Sequence, residues 1–257
     1  MPKNKPVTRK ADQYNDPKHN YLKYWDGREY ENASEELAIT RLLKGKHFNH
    51  AIDIGGGYGR LCVLLENYAD LVTLAEPSDQ QLEIAADYLK DHPEIERKKL
   101  QASKLPYEDH SIDLITMIRV MHHLPDPNPE FTELSRVLSD DGYLILEVAN
   151  YTHFRNRIKH IIKVRRFQAE PVDIRSKKNK GPDEIAFVNH NPKTIIKQLS
   201  HAGLKVERTL SVSNLRSPGL KKLVSKETML KLEKIMQPTM AKSYFGPSIF
   251  FLAKRAS

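Results

Sequence analysis

The chain has 257 residues, 39% hydrophobic and 29% charged, with 41 Lys and Arg against 33 Asp and Glu and a formal net charge of +8 at pH 7. This length bounds it to one sizeable α/β domain with additions or two small domains, and no run approaches the ~20 apolar residues of a membrane-spanning helix. A single cysteine, Cys62, excludes an internal disulfide and a cysteine metal centre, so a reducing, cytoplasmic setting is the expectation; the eleven histidines show no H-E-x-x-H spacing, so no metal is expected.

Residues 1–45 form an N-terminal tail and helical cap. The opening Met-Pro-Lys-Asn-Lys-Pro is basic with no apolar segment behind it, which predicts a flexible tail and not a secretory signal. Tyr14, Tyr21, Tyr24, Trp25, Arg28 and Tyr30 then precede a helix over about Ser34–Leu43. Tyr24, Trp25 and Arg28 are candidate acceptor-side residues of a lid, with packing against the core as the alternative.

Residues 46–150 carry the chemistry. Ala51–Ile54 is an apolar strand that runs into Gly55-Gly56-Gly57-Tyr58-Gly59, with a helix beginning near Tyr58 or Arg60. Glycine reaches positive φ without strain and removes the Cβ that would hold a ligand off the backbone. A dinucleotide G-x-G-x-x-G motif would put its third glycine on Arg60, and the Gly-Lys-Ser/Thr of a phosphate-binding loop is lacking. The motif present is D-x-G-x-G-x-G, from Asp53 to Gly59. A second strand, Leu71–Ala75, stops at Glu76-Pro77-Ser78, where a carboxylate can hold the two hydroxyls of a ribose. Ser78 caps a helix over Gln80–Leu89, with Gln81 at the capping-box position.

Gln101-Ala102-Ser103 leads through Leu105-Pro106 to a strand from about Ile112, which ends in Met117–Asp126. A helix over Pro129–Leu138, a turn at Ser139–Gly142 and a strand over Tyr143–Val148 follow. In their order and separation these segments resemble the class I S-adenosylmethionine-dependent methyltransferases, of the type 11-like small-molecule group. The resemblance covers residues 50–150 and implies a Rossmann-like, doubly wound α/β sheet of seven strands with the seventh antiparallel. It also implies S-adenosylmethionine as cofactor, S-adenosylhomocysteine as product, and transfer of a methyl group to an acceptor.

By the same resemblance, Asp53, Gly55, Gly56, Gly57, Tyr58 and Gly59 hold the methionine end, Glu76 and Pro77 the ribose, and Gln101, Ala102 and Ser103 the adenine. Gln101 stands where the family usually has an acid, although its amide oxygen can still accept a hydrogen bond. Arg119 is a candidate for the cofactor carboxylate or an anionic acceptor, or for an ion pair at the core edge. His123 is the candidate base and His122 an acceptor-side neighbour.

Residues 151–190 form a basic insertion. Phe154, Ile158, Ile161 and Ile162 share one helical face over Phe154–Phe167, with Arg155, Arg157, Lys159 and others around it. Arg155 is an acceptor-side candidate. The charge suits an anionic acceptor or nucleic acid, a peripheral contact with an anionic membrane, or a merely solvated insertion. Residues 191–257 complete the sheet: a helix from Pro192 to about Ala202, a strand over Leu204–Val212, a helix over Leu220–Met236 and a strand over Pro247–Ala253. Two alternatives to a small-molecule methyltransferase stay open, an RNA methyltransferase and a catalytically silent cofactor-binding regulatory or scaffold subunit.

Overall fold

The computed structural model describes residue 14, residues 22–176 and residues 185–256. The predicted tail before Tyr14, Tyr21, and the Lys177, Lys178, Lys180, Asp183 and Glu184 of the insertion lie outside the described residues. The strands are β1 (Phe48–Ile54), β2 (Ala69–Ala75), β3 (Ile95–Lys98), β4 (Ile112–Met117), β5 (Leu138–Ala149), β6 (Val172–Asp173), β7 (Val188–Asn189), β8 (Leu204–Val212) and β9 (Ser248–Arg255). The helices are α1 (Glu29–Leu43), α2 (Cys62–Leu65), α3 (Asp79–Tyr88), α4 (Asn128–Val137), α5 (Phe154–Ile162), α6 (Pro192–His201), α7 (Pro218–Leu223) and α8 (Lys226–Thr239).

One seven-stranded sheet has the order β3-β2-β1-β4-β5-β9-β8, and β6 pairs with β7 apart from it. The first five strands of this sheet are parallel, while β9 runs antiparallel to both β5 and β8. Strands covered by helices on both faces are predominantly apolar, and Ala51–Ile54, Val72–Ala75 and Leu114–Met117 are buried throughout, with one hydrogen-bonded polar residue in each: Asp53, Thr73 and Thr116. Alternation then sorts side chains between two layers. Ile145, Phe250 and Leu252 face Ile39, Leu42 and Leu65, whereas Leu144, Leu146 and Phe251 face Phe131, Leu134, Ile195 and Leu199.

Several boundaries differ from expectation. β3 has the sequence Ile-Glu-Arg-Lys, an edge strand with one buried residue, and gives no apolar run to read. The turn expected at Ser139–Gly142 lies within β5, where pairing jumps from Ile112–Leu138 to Leu114–Tyr143. The helix after the glycines begins at Cys62 and lasts four residues. The expected helix over Leu220–Met236 is two helices, because Ser225 takes an extended conformation and its side chain accepts from the Thr228 N–H. The basic helix stops at Ile162, short of Phe167.

A buried acid on α8 ties the cap to the end of β8. Glu233 on α8 accepts from the Tyr30 hydroxyl at 2.6 Å, from the Ser213 and Asn214 N–H groups at 2.8 and 3.1 Å, and from Asn214 Nδ2 at 3.1 Å. Burial raises its pKa, against those donors. Glu233→Ala leaves buried donors unmatched and is expected to lower stability by about 2–4 kcal/mol, read as a fall in Tm and in the urea midpoint.

Candidate active site

The site is built at the carboxyl ends of β1, β2 and β4. Because Ile54 pairs with Ala75, the residues following them emerge side by side. Gly55 continues the ladder, its N–H donating to Ala75 O at 2.7 Å, and turns the chain at φ 63°. Gly57, at φ 61°, donates its N–H to Glu76 Oε2 at 2.9 Å. The other oxygen, Oε1, accepts from the Ser78 N–H at 2.9 Å, while Ser78 Oγ caps α3 by accepting from the Gln81 N–H. Glu76 is therefore oriented at the cavity wall by two backbone donors, one on each carboxylate oxygen.

In front of this turn lies a cavity of about 370 Å³, within the roughly 300–1,000 Å³ of small-molecule sites. Gly55, Gly57, Glu76, Pro77, Gln101, Ala102, Ser103, Arg119 and His123, all named from the sequence, line it together. Leu100, Val120, Leu124 and Ile185 add apolar wall, Tyr14 enters from the aromatic N-terminal segment read as a lid, and Glu130 adds a polar group that the sequence reading did not assign to the site. Glu130 Oε2 is buried and lacks a hydrogen-bond partner, and burial raises the carboxyl pKa. Its position in the first turn of α4, beside Pro129, is how an ordinary helix-terminal charge looks in sequence.

A second, water-sized chamber of about 20 Å³ lies behind the glycines and shares Gly55 and Arg119 with the cavity. Asp53, Gly56, Tyr58 and Trp25 line this chamber and not the larger cavity. Asp53 Oδ1 accepts from Thr116 Oγ1 at 2.6 Å, the Cys62 thiol reaches Oδ2 at 3.8 Å, and burial raises the Asp53 pKa to about 6. Trp25 Nε1 is buried without a partner. Gly56 and Gly59 serve packing: a Cβ on Gly56 would stand 2.4 Å from Asp53 Oδ2, and one on Gly59 2.7 Å from Leu89 Cδ1. Tyr58 packs edge-on against Tyr88.

Arg119 closes the wall between the two spaces. Its backbone is left-handed, with φ 60°, and its N–H donates to Glu147 Oε2 at 3.2 Å. Its guanidinium pairs with Glu35 Oε1 at 2.7 Å and donates to the Tyr24 hydroxyl at 3.0 Å. Burial opposes the charge, but Glu35, Tyr24 and Glu147 outweigh it and raise the pKa. Glu35 Oε2 also accepts from Arg60 Nη2 at 2.7 Å, and both guanidinium groups lie over the Trp25 ring, at 4.0 Å for Arg60 and 4.8 Å for Arg119. Arg28 donates to the Tyr24 hydroxyl at 2.9 Å. Tyr24 and Arg28 thus approach the cavity through Arg119 and do not line it.

His123 lines the cavity with both ring nitrogens engaged. The Ala186 carbonyl, at 3.0 Å from Nδ1, can only accept, which assigns the proton to Nδ1 and makes Nε2 the acceptor of the Tyr14 hydroxyl at 2.7 Å. His122 stacks between His123 and Phe187 at 3.9 and 4.4 Å, lines no part of the cavity, and is held neutral by a pKa that burial pulls well down. Arg155 stands on α5, outside the cavity lining.

A parallel α/β sheet with a glycine turn after its first strand, an acid closing the second, and an antiparallel strand inserted next to the last position defines the class I methyltransferase fold. A match to the family described as "Methyltransferase domain" spans residues 52–146. Among curated proteins, the chain is 29% identical over 126 residues to an uncharacterized methyltransferase of Schizosaccharomyces pombe, covering 45% of each chain. It is 32% identical over 134 residues to the 27-O-demethylrifamycin SV methyltransferase of Amycolatopsis mediterranei, covering 48% of each. The matched stretch is thus less than half the length of these curated relatives. A crystal structure from Thermotoga maritima, described as an S-adenosylmethionine-dependent methyltransferase and possible histamine N-methyltransferase, superposes with a TM-score of 0.61 at 21% identity, over 91% of this chain and 93% of that one. Residues 52–146 thus match a methyltransferase domain, and the fold is the Rossmann-like fold of S-adenosylmethionine-dependent methyltransferases.

The buried Asp53 gives a pH signature. A carboxyl whose folded pKa is raised binds its proton more tightly in the native state, so its contribution is full below the unfolded pKa of ~3.9 and is lost as pH rises through about 6. Asp53→Asn lacks that loss. Relative to the parent, its unfolding free energy is expected to improve by up to about 3 kcal/mol between pH 4 and 7, measured by urea titration at each pH.

Proposed function

We propose that the 370 Å³ cavity binds S-adenosylmethionine and that the protein transfers its methyl group to a small organic acceptor. The observation that carries this reading is Glu76, a carboxylate oriented by the Gly57 and Ser78 N–H groups and lining the cavity at the end of β2, where a ribose diol would meet it. The orphaned polar atoms fit the same molecule. Trp25 Nε1, beside the Arg119 guanidinium at the glycine end, suits a carboxylate oxygen or a water that bridges to it. Gln101 and the buried Glu130 Oε2 suit the adenine amino group, between the apolar Pro77, Leu100 and Leu124.

When bound, the cofactor supplies a methyl group already activated as a sulfonium, so the protein has chiefly to orient an acceptor and exclude water. Tyr14 and Ile185 cover the cavity and would serve exclusion. His123 Nε2 accepts from the Tyr14 hydroxyl at the cavity wall, so an acceptor proton would reach the imidazole by way of that hydroxyl. A small organic acceptor is further supported by the relative named for 27-O-demethylrifamycin SV.

Isothermal titration with S-adenosylmethionine and S-adenosylhomocysteine tests the placement. The parent is expected to bind both, Glu76→Ala to bind at least about tenfold more weakly, and Gly57→Val, which cannot hold φ 61°, to lose binding. Undiminished affinity in both variants overturns the assignment. Tritiated methyl transfer in fractionated cell extract then reads the acceptor: label in RNA favours the nucleic-acid alternative, and binding with no labelled product favours the silent subunit.

A further inference from the structure

The feature left unused by this reading is α5. No residue of this helix is buried, although its apolar stripe carries Phe154 and three isoleucines. Ile161 and Ile162 are 76% and 74% exposed, and Val164, just beyond the helix, is 93% exposed. Around them, residues 151–169 contain no acid and six Lys or Arg. The helix base is firmly held. Phe154 stacks on Phe245 at 4.8 Å, Arg157 Nε donates to Thr152 O at 2.6 Å, and His160 Nε2 lies 2.9 Å from the Tyr151 hydroxyl. Only the tip projects.

Val164 makes the tip unusual. The helix ends in a Schellman arrangement, with Arg165 N–H donating to His160 O and Val164 N–H to Ile161 O, and Val164 takes the left-handed position at φ 48°. Glycine is the residue that fills this position at no cost, and a β-branched one is strained there. Inside the described protein the valine has nothing to pack on that would offset the strain.

We propose that the α5 tip is an interfacial anchor for an anionic lipid surface, with Ile161, Ile162 and Val164 entering the acyl boundary and Lys163, Arg165 and Arg166 meeting lipid phosphates. Charge complementarity selects this occupant. A polyanion such as RNA would use the cations but leave three aliphatic side chains in water, and a second copy of this acid-free segment would repel the first. The chain's route supports the placement. α5 follows the carboxyl end of β5, the same sheet end as the cavity, and Tyr151 N–H donates to His190 O of the segment whose Ile185 and Ala186 reach the cavity and His123. Docking by α5 therefore turns the cavity end of the sheet toward the bilayer. This inference does not depend on methyl transfer.

Co-sedimentation of the full chain with vesicles tests it, using pure phosphatidylcholine and phosphatidylcholine mixed with phosphatidylglycerol. Binding to the mixed vesicles is expected, weakened by salt and much lower on the neutral ones. Arg165→Gln with Arg166→Gln should cost about tenfold or more on mixed vesicles alone. Ile161→Asn with Ile162→Asn should lower binding at least about tenfold, with Tm unchanged because both side chains already face solvent. Val164→Gly is the separating variant: relief of the left-handed strain should raise Tm while vesicle binding falls. Equal sedimentation with both vesicle types, or isoleucine variants that bind like the parent, would overturn the proposal. So would a dimer in solution that Ile161→Asn dissolves, or RNA binding in place of vesicle binding.

Discussion

A carboxylate almost without solvent, Glu35 on α1, sits between two guanidinium groups that come from different parts of the fold, Arg60 beyond the glycine turn and Arg119 at the end of β4. Removing one partner from such a buried arrangement typically costs about 3–5 kcal/mol, because the remaining charges are left uncompensated. Here the arrangement is closed: Arg60 also donates to Asn32 Oδ1, Arg119 to the Tyr24 hydroxyl, and Trp25 lies under both cations. The aromatic segment preceding α1 is thereby fastened to the two strand ends that form the cavity. The shape of the site is a consequence of that triad as much as of the sheet.

The four glycines after β1 answer to different constraints. Gly55 and Gly57 turn the chain through left-handed conformations at the cavity wall, and the Gly57 N–H orients Glu76. Gly56 and Gly59 are small because Asp53 with Leu74, and Leu89, already fill the space a side chain would take. A run that looks uniform in sequence thus combines two cavity-wall positions with two packed ones, and Gly59, at φ 87°, shares the left-handed backbone of Gly55 and Gly57. Steric exclusion behind the turn is what allows the turn itself to stay bare.

This division explains what could be read from the sequence. The parallel strands β1, β2 and β4 were legible because burial on both faces demands predominantly apolar runs, and the acid at the end of β2 was legible from its distance to the glycines. β3 was not, since an exposed edge has no such demand, and neither was the break at Ser225, whose capping role depends on a local backbone choice amid helix-forming neighbours. In the site, Glu130 escaped assignment and Trp25 was read only as an acceptor-side lid residue, for a shared reason. Each looks locally like a surface or packing residue, and only tertiary approach buries one polar atom of each without a partner.

The strand order also constrains how the molecule is made. β9, the last strand in chain order among the seven, fills an interior slot between β5 and β8. Until β9 has been made, the edge of β5 over residues 144–149 has no neighbour, and β8 has nothing to join. Sheet closure is therefore a late, long-range event, and the nascent protein passes through a stage in which open apolar edges must be shielded from one another.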